Sequence, residues 1–227
     1  DMYEVLLHNA FKYNAQISHC GYQMVFGDGR VHYFHNSGKV IQQDQTTGVR
    51  DLLEGVLVEP GLWNKLYHRN LFDILYKLMP ADIKINEDLL MNFFLFSQAE
   101  CAVFEDCCKY HYIVRSNSAS RGEMNEHRIY DPIRVKEIIL EQVNTENMQD
   151  AQKAYIMTCV YTYCGLKGKK YRDARKWVRQ KISGASDWIR WLPTRGKILA
   201  EMIVYMPGVF GICYPLYERF LQGKKYD

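Results

Sequence analysis

The sequence predicts a mixed α/β part over residues 1–130, followed by an all-α part over residues 131–227. Three observations lead there. Two short β-prone runs flank Gly27-Asp28-Gly29 and a long one covers residues 102–115, with helical patterns between them. From Asp131-Pro132 onward the apolar residues recur only at helical spacing. The charge also divides: residues 1–150 carry 14 Lys and Arg against 21 Asp and Glu, while residues 151–227 carry 15 against 5, so the formal +3 is what remains of −7 and +10.

Met2, Leu6 and Ala10, with Val5 and Tyr13 beside them, give one apolar helix face behind an Asp1 cap, and residues 14–22 turn into a strand. Residues 23–26 and 31–34 form a hairpin around Gly27-Asp28-Gly29, where glycine supplies positive φ. A short helix follows near 47–54. After Pro60-Gly61, residues 61–78 read as a helix with Trp63 and Leu66 near its start. Ile83 and Ile85 alternate with Lys84 as in a half-buried strand, and Leu89, Leu90, Phe93 and Phe94 then mark a helix that Asn86 can cap. Residues 116–128 read as a polar loop. Helices over 133–143, 151–166 and 169–182, the last strongly basic, lead to an apolar and basic segment that begins near Trp188.

The 227 residues are 48% hydrophobic, ample for a packed core and incompatible with disorder. No internal repeat and no run of 18 apolar residues is present, so a single-pass anchor is not expected. Seven cysteines occur without a CxxC pair, which points to reduced thiols and a cytosolic setting. No signal-peptide pattern opens the chain. The opening at Asp1, without a start Met, is expected of a piece cut from a longer protein.

Glu87-Asp88 is the most informative chemical feature. Carboxylates in a first turn meet backbone N–H groups and the positive end of the helix dipole, which favours the charged form. Such an anion suits a general base, and it is equally what an ordinary capped helix shows.

Four blocks in order resemble the second half of a family 2 glycosyltransferase of the bacterial surface-polysaccharide type: residues 1–22, GLWNKLYHRNLF at 61–72, INEDLLMNFFLF at 85–96 and YHYIVRSNSAS at 110–120. The resemblance implies that residues 1–130 are the acceptor-side half of a GT-A catalytic domain, a partial αβα sandwich lacking its donor-binding half. The family's Asp-x-Asp motif is absent here. The implied reaction is inverting transfer from a nucleotide-sugar, a UDP-sugar first among them, to a glycan or lipid-linked acceptor in cell-surface polysaccharide synthesis. Asp88 is then the base and Glu87 orients the loop or the acceptor. Trp63, Asn64 and Lys65 are acceptor candidates, although a Trp there also serves as a core plug. Arg115, Ser116 and Ser118 are candidates for the donor diphosphate. His111 is a candidate metal ligand, with a satisfied sheet histidine as the alternative. The implied cofactor is Mn²⁺ or Mg²⁺ in the full-length parent, with none held tightly by this fragment, which is expected to be inactive alone.

Residues 188–227 combine Trp188, Trp191 and several Tyr with Arg190, Arg195, Lys197, Arg219, Lys224 and Lys225, which suits peripheral contact with a membrane. The expected location is cytoplasmic, at the inner face of the cell membrane. Packing on the catalytic part or in a homo-oligomer is the alternative, and nucleic acid is not an expected partner because no reader motif is present. The rival to the enzyme is a non-catalytic membrane-docking or protein-interaction module on a degenerate transferase domain.

Overall fold

The computed structural model describes residues 1–34, 36–73, 75–114 and 124–223, with the side chains of 76 and 220–223 outside the description. It is mixed α/β and falls into two compact units, Asp1–Ala151 and Gln152–Asp227. The units divide further along the chain than residue 130 because the helix at Glu126–Gln142 is tied into the first unit.

The first unit is built on a mixed sheet. β1 (Ile17–Val25) runs parallel to β5 (Ala102–Ile113) along its whole length, with a bulge around Gly21. The other edge of β1 is shared. β4 (Lys65–Tyr67) pairs antiparallel with Ile17–His19, and β2 (Val31–Phe34) pairs antiparallel with residues 22–25. β3 (Val40–Gln43) closes the far edge of β5, giving the order β2-β1-β5-β3. The expected hairpin is present, with Gly29 at φ 87°. β1 begins with five consecutive buried residues because it is covered on both faces.

α1 (Met2–Lys12) packs on β1, β4 and β5, although Asp1 makes no side-chain cap. α2 (Gln45–Glu54) is capped by Asp44, whose carboxylate accepts from Thr47 N at 2.8 Å, and ends at Gly55 in the left-handed region. Residues 61–78 are not one helix: a turn leads into β4, then a 3-10 turn at Arg69–Phe72 and the single turn α3 (Leu75–Leu78). Ile83–Ile85 is not a strand either. The N–H groups of Lys84 and Ile85 both donate to Asp131 Oδ2, at 2.8 and 3.2 Å, so a side chain takes the place of a strand partner.

α4 (Glu87–Phe96) is more deeply buried than its pattern suggests. Leu90, Asn92, Phe93, Leu95 and Phe96 are all within 1% of full burial, because α2, α3 and α5 surround it. α5 (Glu126–Gln142) starts inside the expected loop, capped by Asn125, and carries Pro132 in its interior. Besides Lys84 and Ile85, Asp131 also meets the His127 ring at 2.9 Å.

α6 (Met148–Gly165) runs from the end of the first unit into the second. There α7 (Arg172–Gly184), a 3-10 turn at Ser186–Trp191, α8 (Thr194–Tyr205) and α9 (Pro207–Gly223) follow. Val178 and Ile182 of α7 join Ala200 and Ile203 of α8 in full burial. α9 differs. Val209, Ile212, Cys213, Leu216 and Tyr217 recur at helical spacing and are exposed, so one apolar face of this helix has no cover within the described structure.

Candidate functional site around Asp88

The turn at residues 59–67 is held against the first half of α4 by buried polar side chains. Asn92 lies one helical turn beyond Asp88. Its amide donates to Pro60 O at 2.5 Å and its carbonyl accepts from Tyr67 Oη at 2.6 Å. Lys65 is buried, and its ammonium donates to Glu59 O and Gly61 O at 2.6 Å and to Asn64 Oδ1 at 2.8 Å, which uses all three N–H groups. Asn64 in turn donates to Cys20 O at 2.5 Å and accepts Cys20 N at 3.2 Å through its own carbonyl. Asn64 and Lys65 therefore brace the turn onto β1, and neither faces solvent as an acceptor contact would.

Trp63 stands in that turn rather than at a helix start. Its indole stacks on Tyr110 with ring centroids 4.3 Å apart, meets Tyr22 edge-on at 5.0 Å and leans on Tyr112 at 5.7 Å. All four rings are half-buried. The indole lies directly over Gly61, where a Cβ would collide with Nε1, so glycine is required there for contact rather than for backbone angle. A tight cavity of about 120 Å³ borders Tyr22, Glu59 and Asn64.

Asp88 is half-buried on the first turn of α4, while Glu87 is exposed. Asn86 does not cap with its side chain: it adopts φ 66°, and Asp88 Oδ1 instead accepts Leu89 N at 2.8 Å. The expected bias toward the charged form is overturned. Burial pushes the Asp88 pKa above the ordinary carboxylate range, against the opposing pull of the Leu89 N–H and of Lys65. Burial also draws Lys65 down to about 7, with Glu59, Cys20 and Asp88 pulling it back up. The Tyr67 phenol is raised by burial and by the Asp88 charge. Lys65 and Tyr67 thus each sense the charge of Asp88.

His111 is not brought to this place. It is exposed near the end of β5, and among the described residues no group of three or more His, Cys, Asp and Glu side chains could hold a metal ion. Arg115, Ser116 and Ser118 lie outside the described residues. Tyr67, Asn92, Tyr22 and Tyr110 were not picked out from sequence. The spacing of Asp88 and Asn92 at i and i+4 carried a signal for one of them; Tyr22 and Tyr110 needed the β1–β5 pairing and Tyr67 the β1–β4 pairing.

No protein-family model matches the chain, and no curated protein matches it.

Proposed function

We propose that the first unit is the acceptor-side, base-bearing part of an inverting sugar transferase of GT-A type, which moves a sugar from a nucleotide-sugar to an acceptor hydroxyl. The observation that carries this reading is a half-buried carboxylate whose pKa is raised, on a first helical turn braced against a turn that presents a half-buried Trp. A base with a raised pKa takes a proton more readily than an ordinary carboxylate does. Trp63 and Tyr110 stack on each other, and in this reading the accessible side of that aromatic pair meets the apolar face of a sugar ring.

In the proposed step the acceptor oxygen forms a bond to C1 while the bond from C1 to the phosphate oxygen breaks. The nucleoside diphosphate leaves with the electron pair, and the hydroxyl proton passes to Asp88. Lys65 pulls the Asp88 pKa down, but by less than burial raises it. The described residues do not supply a metal-ligand set, and no part of the step is assigned to a metal.

The test is product formation by the native gene product across a panel of UDP-sugars and glycan acceptors, read by mass spectrometry. The Asp88→Asn variant is expected to lose about 10²- to 10⁴-fold in rate. Equal turnover by the variant would remove Asp88 as base. A second reading, a non-catalytic docking module, is favoured by the uncovered face of α9 and predicts no product in either case.

A further inference from the structure

The second unit holds two surfaces that its own packing leaves unused. On α7, residues 172, 175, 176, 179, 180 and 183 fall on one helical stripe, and Arg172, Arg175, Lys176 and Arg179 place four cations along it with no acid among them. This stripe lines a groove of about 530 Å³, together with Tyr163 and Pro207. Arg175 is braced by Leu166 O at 2.8 Å and Gly168 O at 2.7 Å, and Arg179 by Val204 O at 2.6 Å, so these two charges are held in place at the groove. Arg172 and Lys176 are exposed and have no partner among the described residues.

Two further cavities lie nearby in the same unit. Through Tyr163, Arg175 and Pro207 the groove adjoins a second cavity of about 530 Å³, and through Phe210 and Tyr214 that cavity adjoins a third, of about 540 Å³, between α8 and α9. The third is lined chiefly by Ile198, Leu199, Met202 and Phe210, and it borders the exposed face of α9 through Cys213 and Tyr217; Ile212, 70% exposed, and Leu216, 61% exposed, lie further round that face, outside the cavity. The second unit thus carries a cationic groove and an apolar one, each sharing walls with a cavity between them, and it has 15 basic against 5 acidic residues.

We propose that the second unit docks on an anionic lipid bilayer, with the exposed face of α9 set among acyl chains and the α7 cations on headgroup phosphates. Charge selects this occupant. A second copy on the same face would bring one +10 unit against another, which like charge opposes. Nucleic acid would meet the cations and leave the apolar groove empty. Only a surface that is anionic at one depth and apolar a few ångströms deeper uses both. No helix of the described residues is long and apolar enough to cross a membrane, so the contact is in the interface. The proposal stands apart from the transferase reading, since it uses no residue of the Asp88 site.

The experiment is co-sedimentation of the whole chain with vesicles of phosphatidylcholine alone or mixed with phosphatidylglycerol. Binding is expected to the mixed vesicles only and to fall as salt is raised. Arg172→Glu with Lys176→Glu should weaken it by about fivefold per residue or more, and Ile212→Asp with Leu216→Asp should abolish it while circular dichroism stays unchanged. A bimane label on Cys213, the exposed thiol of the seven, gives a readout that needs no surface variant: its emission should shift to the blue on mixed vesicles. Three results would each overturn the proposal. They are a chain left in the supernatant with an unshifted label, equal binding to both vesicles, and a solution dimer that Ile212→Asp converts to monomer. Retention of duplex DNA by a chain that ignores anionic vesicles would assign the cations to nucleic acid instead.

Discussion

Asp88 is where two electrostatic effects meet with opposite sign. The first turn of α4 and the Leu89 N–H favour its carboxylate, but partial burial disfavours the charge more strongly, and the folded protein holds this proton to a higher pH than an unfolded chain does. Asp88 therefore contributes stability at low pH that is lost as pH rises from the ordinary carboxylate range through the raised folded value. At neutral pH the ionised group is a small liability, which Asn removes while keeping an oxygen for Leu89 N. The same Asp88→Asn substitution that is expected to stop transfer should accordingly leave stability within about 1 kcal/mol of the original, with any change upward. Urea denaturation at neutral pH measures this. A loss of more than about 2 kcal/mol would mean that Asp88 serves chiefly as a charge partner for buried Lys65.

At the scale of elements, close packing overrides local preference. Gly48 lies in α2, where Ala would ordinarily gain about 1 kcal/mol. A Cβ at that position meets Phe96 Cδ1 at 2.7 Å, however, and Phe96 is only 1% exposed and boxed in by its own helix. Overpacking costs about 1–3 kcal/mol, so Gly48→Ala is expected to lower stability by about 1 kcal/mol net; a rise in thermal midpoint would show that α2 and α4 can separate freely. Asp131 works between elements. It collects the N–H groups of Lys84 and Ile85 just before the helix that carries Asp88, and Asp131→Ala leaves both without an acceptor. A cost of about 2–3 kcal/mol is expected, with faster hydrogen exchange at residues 84 and 85 as the local readout. These two positions also explain what the sequence could and could not disclose. Patterns that close within ten residues were legible: the Gly27–Gly29 hairpin, a short helix near 47–54, and the helix that begins at Glu87-Asp88, though neither cap was. The run at 61–78 has helical spacing, but β4 forms because Ile17–His19 offers an edge some 48 residues earlier in the chain, a pairing no local period contains. Alternation at Ile83–Ile85 likewise suggested a strand, whereas its ladder partner is one aspartate on α5. Of the candidate site, Asp88 and Trp63 were legible and the roles of Asn64 and Lys65 were not, because their polarity suggested a surface and their hydrogen bonds lead inward.

Over the whole molecule, buried bases and buried acids set limits on opposite sides of neutral pH. His19 is fully buried between Phe96 and Phe104, its Nε2 paired with Gln43 Oε1 at 2.8 Å, and Gln43 passes the link on to Asp51 at 2.7 Å. Burial lowers the His19 pKa to about 3, so its contribution rises with pH between about 3 and 6.5 and is lost on acidification. Lys65 and Lys136, lowered by burial to about 7 and about 8, extend the same sign up to their ordinary value near 10.5. The thiols oppose them: burial raises Cys20 to about 11 and Cys107 to about 12, and Tyr22 and Tyr67 are raised as well, so stability falls as pH climbs from about 9 through those values. The two limbs meet on the alkaline side of neutral. Urea midpoints followed by circular dichroism from pH 4 to pH 11 should therefore peak near pH 8–9, above the usual pH 5–8. His19 is the largest single source of the acid limb, on the order of 5 kcal/mol for a shift of this size in a fully buried group. His19→Gln keeps a donor for Gln43 without a titrating ring, and it should flatten the profile between pH 4 and pH 6.5 while leaving the alkaline limb in place. A wild-type midpoint that is level from pH 4 to pH 7 would mean that water reaches His19 and that the β1–β5 core is looser at this point than its 0% exposure indicates.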